Sequence, residues 1–317
     1  MKKLIVGALL AASAFSVQAE NIELLNMATF VVNPEASTVG PKFKNTAERR
    51  AVYGDQVATL LLKNADKLAS KYLDMNDPMA YNAFMVMALT VPMHEGFFVH
   101  FRETANIESE CVDYKSKYKK LSGKAKKEFK KNLIKGSTPF LIKCSKIDES
   151  LPTVTSIMRA ILDGSDIGMM QISVRWHYDI FLAQRKFESV EKTIDYGMRH
   201  LLKGFDPIYR KSNEHSCLTE NGSFSYQNLV RATWGGFYNG GSVGQACRFS
   251  GVGHANDRAF KMNLDKILSY PETGLLGYNN DLRLDLTPTV KAAVVEVINN
   301  LRNGTDNRSA VNKLLKK

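Results

Sequence analysis

The sequence predicts a mainly α fold, on three observations. Apolar residues recur at helical spacing from Thr46 to Leu73. A second segment, Met79 to Glu95, is apolar almost all round, as a core helix must be. Strand signals are few along the 317-residue chain, and no internal repeat is present.

Taken in order, the first nineteen residues have the layout of an export signal. Lys2 and Lys3 form a positive region, Leu4 to Phe15 an apolar one, and Val17-Gln18-Ala19 a small-residue cleavage site. Cleavage near Ala19 predicts a periplasmic or secreted protein. No cysteine follows that site, so no lipid anchor is expected, and no later stretch is apolar for long enough to span a membrane.

Glu20 to Pro41 reads as irregular, with one short strand at Ala28 to Val32. The Thr46–Leu73 helix presents Val52, Val57, Leu60, Leu61, Ala65, Leu68 and Tyr72 to a core. Asn76-Asp77-Pro78 starts the next helix, with proline in its first turn. Pro92 is expected to kink or loosen that helix near its end, and Gly96 to stop it.

Further helices are expected at Leu151–Leu162, Tyr178–Ala183, Val190–Leu202, Tyr226–Trp234 and Thr289–Leu301, the last leading to a basic tail. Ser212 to Ser223 is polar and reads as loop.

Formal charge is +11, and removing Lys2 and Lys3 leaves +9. A basic exported protein suits an acidic partner: nucleic acid, an anionic membrane surface or an anionic wall polymer. Ten lysines fall between Lys115 and Lys135. A solvated helical hairpin is the favoured reading of that segment over a polymer-holding surface. Only Tyr118 and Phe129 interleave with those lysines, which argues against base stacking and so against nucleic acid.

The four cysteines, Cys111, Cys144, Cys217 and Cys247, allow three pairings. Sequence proximity favours Cys111–Cys144 and Cys217–Cys247 in an oxidising compartment.

His94 and His100 flank Glu95 but stand six residues apart, not the four that place two ligands on one helix face. His177, His200, His215 and His254 show no ligand spacing either, so neither metal nor cofactor is expected. Glu95 ends the core helix between Met93 and Phe97. Desolvation there and the helix's negative end both favour a protonated carboxyl group, which is what a general acid requires. The bland alternative is a glutamate reaching solvent at a helix end.

The string Asp163-Gly164-Ser165-Asp166-Ile167-Gly168-Met169-Met170-Gln171-Ile172 resembles the D-G-S-x-D-[IY]-G-[LI]-[ML]-Q-I-N-S motif of the lysozyme-like superfamily, which holds the bacterial lytic transglycosylases and the animal lysozymes. Three more pieces stand in the family's order. His94-Glu95-Gly96-Phe97 is similar to the segment ending its catalytic helix, Ile194 to Leu201 to its N-I-x-x-G-x-x-[YL]-L helix, and Tyr238-Asn239-Gly240 to its A-Y-N-A-G segment. The departures are a missing spacer between Ser165 and Asp166, Asp195 in place of Asn, Gly240-Gly241 in place of Ala-Gly, and a long gap from Glu95 to Gly168. That gap leaves Glu103, Glu108, Glu110 and Glu149 as rival acids, of which none ends an apolar helix.

The resemblance implies a lysozyme-like helical domain over residues 79–285, with a disulfide-tied insertion at about 104–150. A helical N-terminal segment at 20–78 would pack on it, and residues 286–317 would form a C-terminal helix and basic tail. It implies cleavage of the β-1,4 bond between N-acetylmuramic acid and N-acetylglucosamine in peptidoglycan by a monomer without cofactor. Glu95 would be the acid. Gly168 would admit the sugar to the backbone, and Gln171 would hydrogen-bond locally beneath the cleft. Ser165, Met170, Trp176, Phe237, Tyr238 and Asn239 would complete the binding site. Plain core is the alternative for Trp176, Phe237 and Met169, and the stronger reading for Met169 and Met170.

Asp166 decides the second reactant. In a hydrolytic lysozyme it would be the second carboxylate, with deacetylated glycan as one substrate; lysozyme is the usual example of that pairing. A transglycosylase would use Glu95 twice, against the sugar's own hydroxyl, and leave a 1,6-anhydro end. Asp166 would then only cap a turn or helix start. The export signal favours the transglycosylase. A non-catalytic wall-binding protein is the competing class, and a lysine-dependent nucleic-acid or membrane-surface binder is a third.

Overall fold

The computed structural model describes residues 29–33, 38–41, 47–99, 101–104, 122–123, 166–182, 184, 186–251, 254–280 and 282–316. The expected export signal, Cys111, Cys144, Ser165, the helix expected at Leu151–Leu162 and nearly all of the lysine-rich segment lie outside them. The described residues are mostly helical, with small strand pairs. In chain order the elements are β1 (Thr29–Asn33), β2 (Thr38–Pro41), α1 (Ala47–Asp74), α2 (Pro78–Gly96), β3 (Phe101–Thr104), β4 (Asp166–Ile167), β5 (Ile172–Ser173), α3 (Val174–His177) and α4 (Val190–Arg210). They continue with β6 (Thr219–Glu220), β7 (Ser223–Phe224), α5 (Tyr226–Ala232), α6 (Ala255–Leu268), α7 (Tyr270–Thr273), β8 (Leu276–Gly277), β9 (Arg283–Leu284), α8 (Pro288–Asn303) and α9 (Ser309–Leu315).

Contacts divide the chain into two units, residues 1–45 with 99–193 and residues 46–98 with 194–317. In the first, β1 pairs antiparallel with β2 and parallel with β3. The strands β4 and β5 form a hairpin in which Asp166 faces Ser173 and Ile167 faces Ile172. α3 runs into a π-helical turn at Tyr178–Leu182, where a helix to Ala183 was expected. Phe181 is buried there and meets Phe187 edge to face.

The second unit is built round α2, whose side chains from Ala80 to Met93 are all buried. α1, α5, α6 and α8 pack against it. From α1 the stripe Ala58, Leu61, Leu62, Ala65, Ala69 and Tyr72 is wholly buried, so one face of that helix turns to the core, whereas Val52, expected on that face, is exposed near the helix start. Two polar side chains within α2 donate back along the helix, while the buried Asn82 Oδ1 has no hydrogen-bond partner among the described residues. Asn82 Nδ2 donates to the Pro78 carbonyl at 2.8 Å, and Thr90 Oγ1 to the Val86 carbonyl at 2.9 Å.

Both ends of α2 are fixed. At its start Asp77 accepts from the Ala80 amide at 2.9 Å, from Tyr209 at 2.6 Å and from Tyr226 at 3.0 Å. Burial, with Asp77 as acceptor, pushes the Tyr209 phenol up to about 12. Asp77→Ala removes a helix cap and the partner of two hydroxyls, and is expected to cost about 2 kcal/mol. A urea midpoint lowered to match is the measurement; an unchanged midpoint would show the cluster contributes nothing.

At its other end the helix runs through Pro92 and includes Gly96, so glycine is not the stop that the sequence suggested. Phe97 and Phe98 turn it, at φ of +51° and +60°. Their amides donate to the carbonyls of Met93 at 3.1 Å and Pro92 at 3.0 Å, and the Tyr53 hydroxyl donates to the Phe98 carbonyl. Left-handed backbone costs roughly 1–2 kcal/mol at a non-glycine residue. Phe98 offsets that by complete burial, and Phe97 packs on Tyr278 with ring centroids 5.1 Å apart.

Other boundaries moved as well. The helix expected to end at Leu202 runs on to Arg210, with Pro207 inside it. The expected loop Ser212–Ser223 holds two 3-10 turns and enters the β6–β7 hairpin, turned by Asn221-Gly222 with φ of +51° and +80°. The basic tail carries a helix of its own, α9, whose first amides are received by Glu296 of α8.

Candidate active site

Glu95 lies in the last turn of α2, half-buried, in the place the sequence suggested. Its Oε1 accepts a hydrogen bond of 2.6 Å from the indole nitrogen of Trp234. Trp234 belongs to a π-helical segment, Thr233–Tyr238, that continues directly from α5. Such segments are rare and frequently sit at functional sites.

Two rings seat that indole. Phe260 of α6 stacks on it with centroids 4.2 Å apart and planes within 2°, and His94 meets it edge-on at 4.6 Å. Asn263 Nδ2 lies 2.9 Å from His94 Nδ1. An amide nitrogen only donates, so Nδ1 accepts and the ring proton resides on Nε2.

Burial pushes the His94 imidazole down to about 4, while the Asp257 carboxylate pulls the other way. Unfolded chain takes up this proton near 6.5 and folded protein near 4, so the unfolded state binds more protons between the two. Stability therefore falls as pH drops from 6.5 towards 4, by about 2 kcal/mol once partial solvent screening is allowed for. Urea unfolding at pH 4.5 and 7.5 checks this, because His94→Gln is expected to narrow the difference. An equal difference in both proteins would assign the acid sensitivity elsewhere.

Behind the π-helix Asp257 is buried and paired with Arg248 through two bonds, of 3.1 and 3.0 Å. The backbone fits closely here. A Cβ on Gly235 would stand 2.6 Å from Asp257 Oδ1, and one on Gly236 would stand 2.7 Å from the Ala246 Cα. The adjacent Cys247 forms a disulfide with Cys217, one of the two bridges that proximity favoured; the other lies outside the described residues.

Phe237 and Tyr238 are half-buried beside His200, with ring centroids 5.0 and 5.4 Å from it, and Asn239 is exposed. Phe237 also lies against Gly204, where a Cβ would come within 2.4 Å of its ring. One stretch of π-helix thus carries both the partner of Glu95 and the aromatic pair.

The first unit holds the remaining residues. Asp166 is exposed on β4 and Gly168 opens the hairpin turn at φ +81°, so the turn itself demands a glycine there. Gln171 closes it at φ +43°, and both its amide and its Nε2 donate to the Gly168 carbonyl, at 2.9 and 2.7 Å. Met169 and Met170 are fully buried. Trp176 is 79% exposed and so is not core.

Trp234, Phe260 and Asn263 had not been singled out for the site. Phe260, Leu264, Ile267 and Leu268 recur at helical spacing, which would have revealed α6. Among the described residues, no cluster of three or more His, Cys, Asp or Glu side chains is placed to hold a metal ion, and no helix is long and apolar enough to cross a membrane.

Comparison with models of known protein families, with curated proteins and with solved structures finds no match to the chain.

Proposed function

We propose that this protein is an exported peptidoglycan-cleaving enzyme of the lysozyme-like type, a lytic transglycosylase that breaks the MurNAc–GlcNAc bond with Glu95 as general acid and base. The observation that carries the reading is a carboxylate at the end of a helix buried from Ala80 to Met93, held on one oxygen by a buried indole N–H. Trp234 can donate but never take the proton, so its bond orients the carboxyl group without competing for its acid–base role. Four motif-like pieces in the family's order give the substrate class.

In this reading Glu95 first protonates the glycosidic oxygen. The resulting carboxylate then removes a proton from the sugar's C6 hydroxyl, which closes on the anomeric carbon as the 1,6-anhydro ring. Phe237, Tyr238 and Asn239, which follow Trp234 along the chain, contact glycan. Net positive charge favours approach to acidic peptide stems.

Hydrolysis is the second reading; it rests on the Asp163–Ile172 string, whose Asp166 would be the second carboxylate. Mass spectrometry of muropeptides released from normal and deacetylated sacculi separates the two. Anhydro ends support the transglycosylase and reducing ends the lysozyme. Release of neither, with the protein bound to sacculi, leaves a wall-binding protein.

A further inference from the structure

We infer that Trp234 is the positioning residue for Glu95, orienting its carboxyl group through Oε1, and that the side chains packed round its ring hold it for that task. The inference rests on reading Glu95 as the acid. Trp234 is 1% exposed, and its single polar atom is spent on the Glu95 carboxylate at 2.6 Å. An indole needs a partner when buried, but water or a backbone carbonyl usually serves. Here the partner is an ionisable group at the end of a core helix.

The ring has little freedom to leave that bond. Phe260 covers one face, and the edge-on His94 is itself tied to Asn263. The backbone beneath is equally fixed, since Gly235 closes on Asp257 and Gly236 on Ala246 with no room for a methyl group. Asp257 cannot withdraw without leaving Arg248 unpaired in a largely buried place. The imidazole beside Glu95 stays neutral above pH 5, so it adds no charge to compete with the acid's own proton. Three elements (the end of α2, the π-helix and α6) thus converge on the orientation of one carboxyl group.

Two measurements test this, one independent of activity. In protein labelled with 15N-tryptophan, the two tryptophans give two indole N–H signals, and Trp234→Phe identifies the buried one. Glu95→Ala should move that signal upfield and speed its exchange with D2O, while the Trp176 signal stays in place. An unmoved Trp234 signal would overturn the inference.

In muropeptide release Trp234→Phe, which keeps a ring on Phe260 but loses the N–H, should lower kcat about 10–100-fold with KM within twofold. Benzothienylalanine at position 234 has the same shape without the donor. It should reproduce the loss if the phenylalanine variant folds poorly. Wild-type kcat in both variants, or a loss confined to KM, would overturn the positioning role. Should wild-type protein release no muropeptides, the enzymatic reading fails, and the indole signal still decides whether Trp234 holds Glu95.

Discussion

Glu95→Gln is expected to lower muropeptide release at least about 1,000-fold while the protein stays folded. The size follows from the role: one group serves as acid and then as base, and loss of a general acid–base group alone costs roughly 100–10,000-fold. Retention of fold follows from the contact. Glutamine keeps an acceptor oxygen for the Trp234 indole, which bonds Glu95 at 2.6 Å, and it has nearly the same volume. Thermal unfolding should therefore stay within about 2 °C of wild type. Sedimentation with insoluble sacculi should also be retained, because binding contacts are untouched. If the variant still releases wild-type amounts of muropeptide, the acid is another carboxylate, and Glu103, Glu108, Glu110 and Glu149 are next to test.

How much of this was legible in the sequence differs from element to element. The core helix was plain because fifteen consecutive positions without a sustained polar face admit no other packing, and Asp77-Pro78 marked its start. Its end was misread. Gly96 carried the local signal for a stop, whereas tertiary contacts of Phe98 and Phe97 made two left-handed aromatic residues the cap. The Gly168–Gln171 turn was not read from the sequence, where Gly168 was assigned to sugar access; its positive φ and the bonds of Gln171 to its carbonyl appear only in the folded hairpin. The partner of Glu95 was not visible, since Trp234 is distant in sequence and its helix changes from α to π just before it. Nothing local in Ala232-Thr233-Trp234-Gly235 announces a π turn. It arises where two glycines let the segment approach Asp257 and Ala246.

Replacing both Cys217 and Cys247 by serine is expected to cost about 3–4 kcal/mol and to lower the melting temperature by roughly 10 °C, leaving kcat at 25 °C nearly unchanged. The bridge closes a loop spanning 30 positions, and freeing a loop of that length raises the entropy of the unfolded chain by that much. The closed loop contains α5 and the π-helix with Trp234, so the bridge shortens the search for the folded site. It need not hold the site once formed. Cys217 is also anchored by its carbonyl to Asn228 Nδ2 at 3.1 Å, and Arg248, next to Cys247, keeps its pair with Asp257. Those contacts remain in the serine variant. Calorimetry together with muropeptide release at 25 °C therefore separates two kinds of support for one carboxylate. Trp234→Phe should depress kcat with a smaller change in melting temperature, and the double serine variant should do the reverse. Equal loss of both in the serine variant would mean that the disulfide holds the π-helix in the folded state, and an unchanged melting temperature would mean that the loop is already ordered without it.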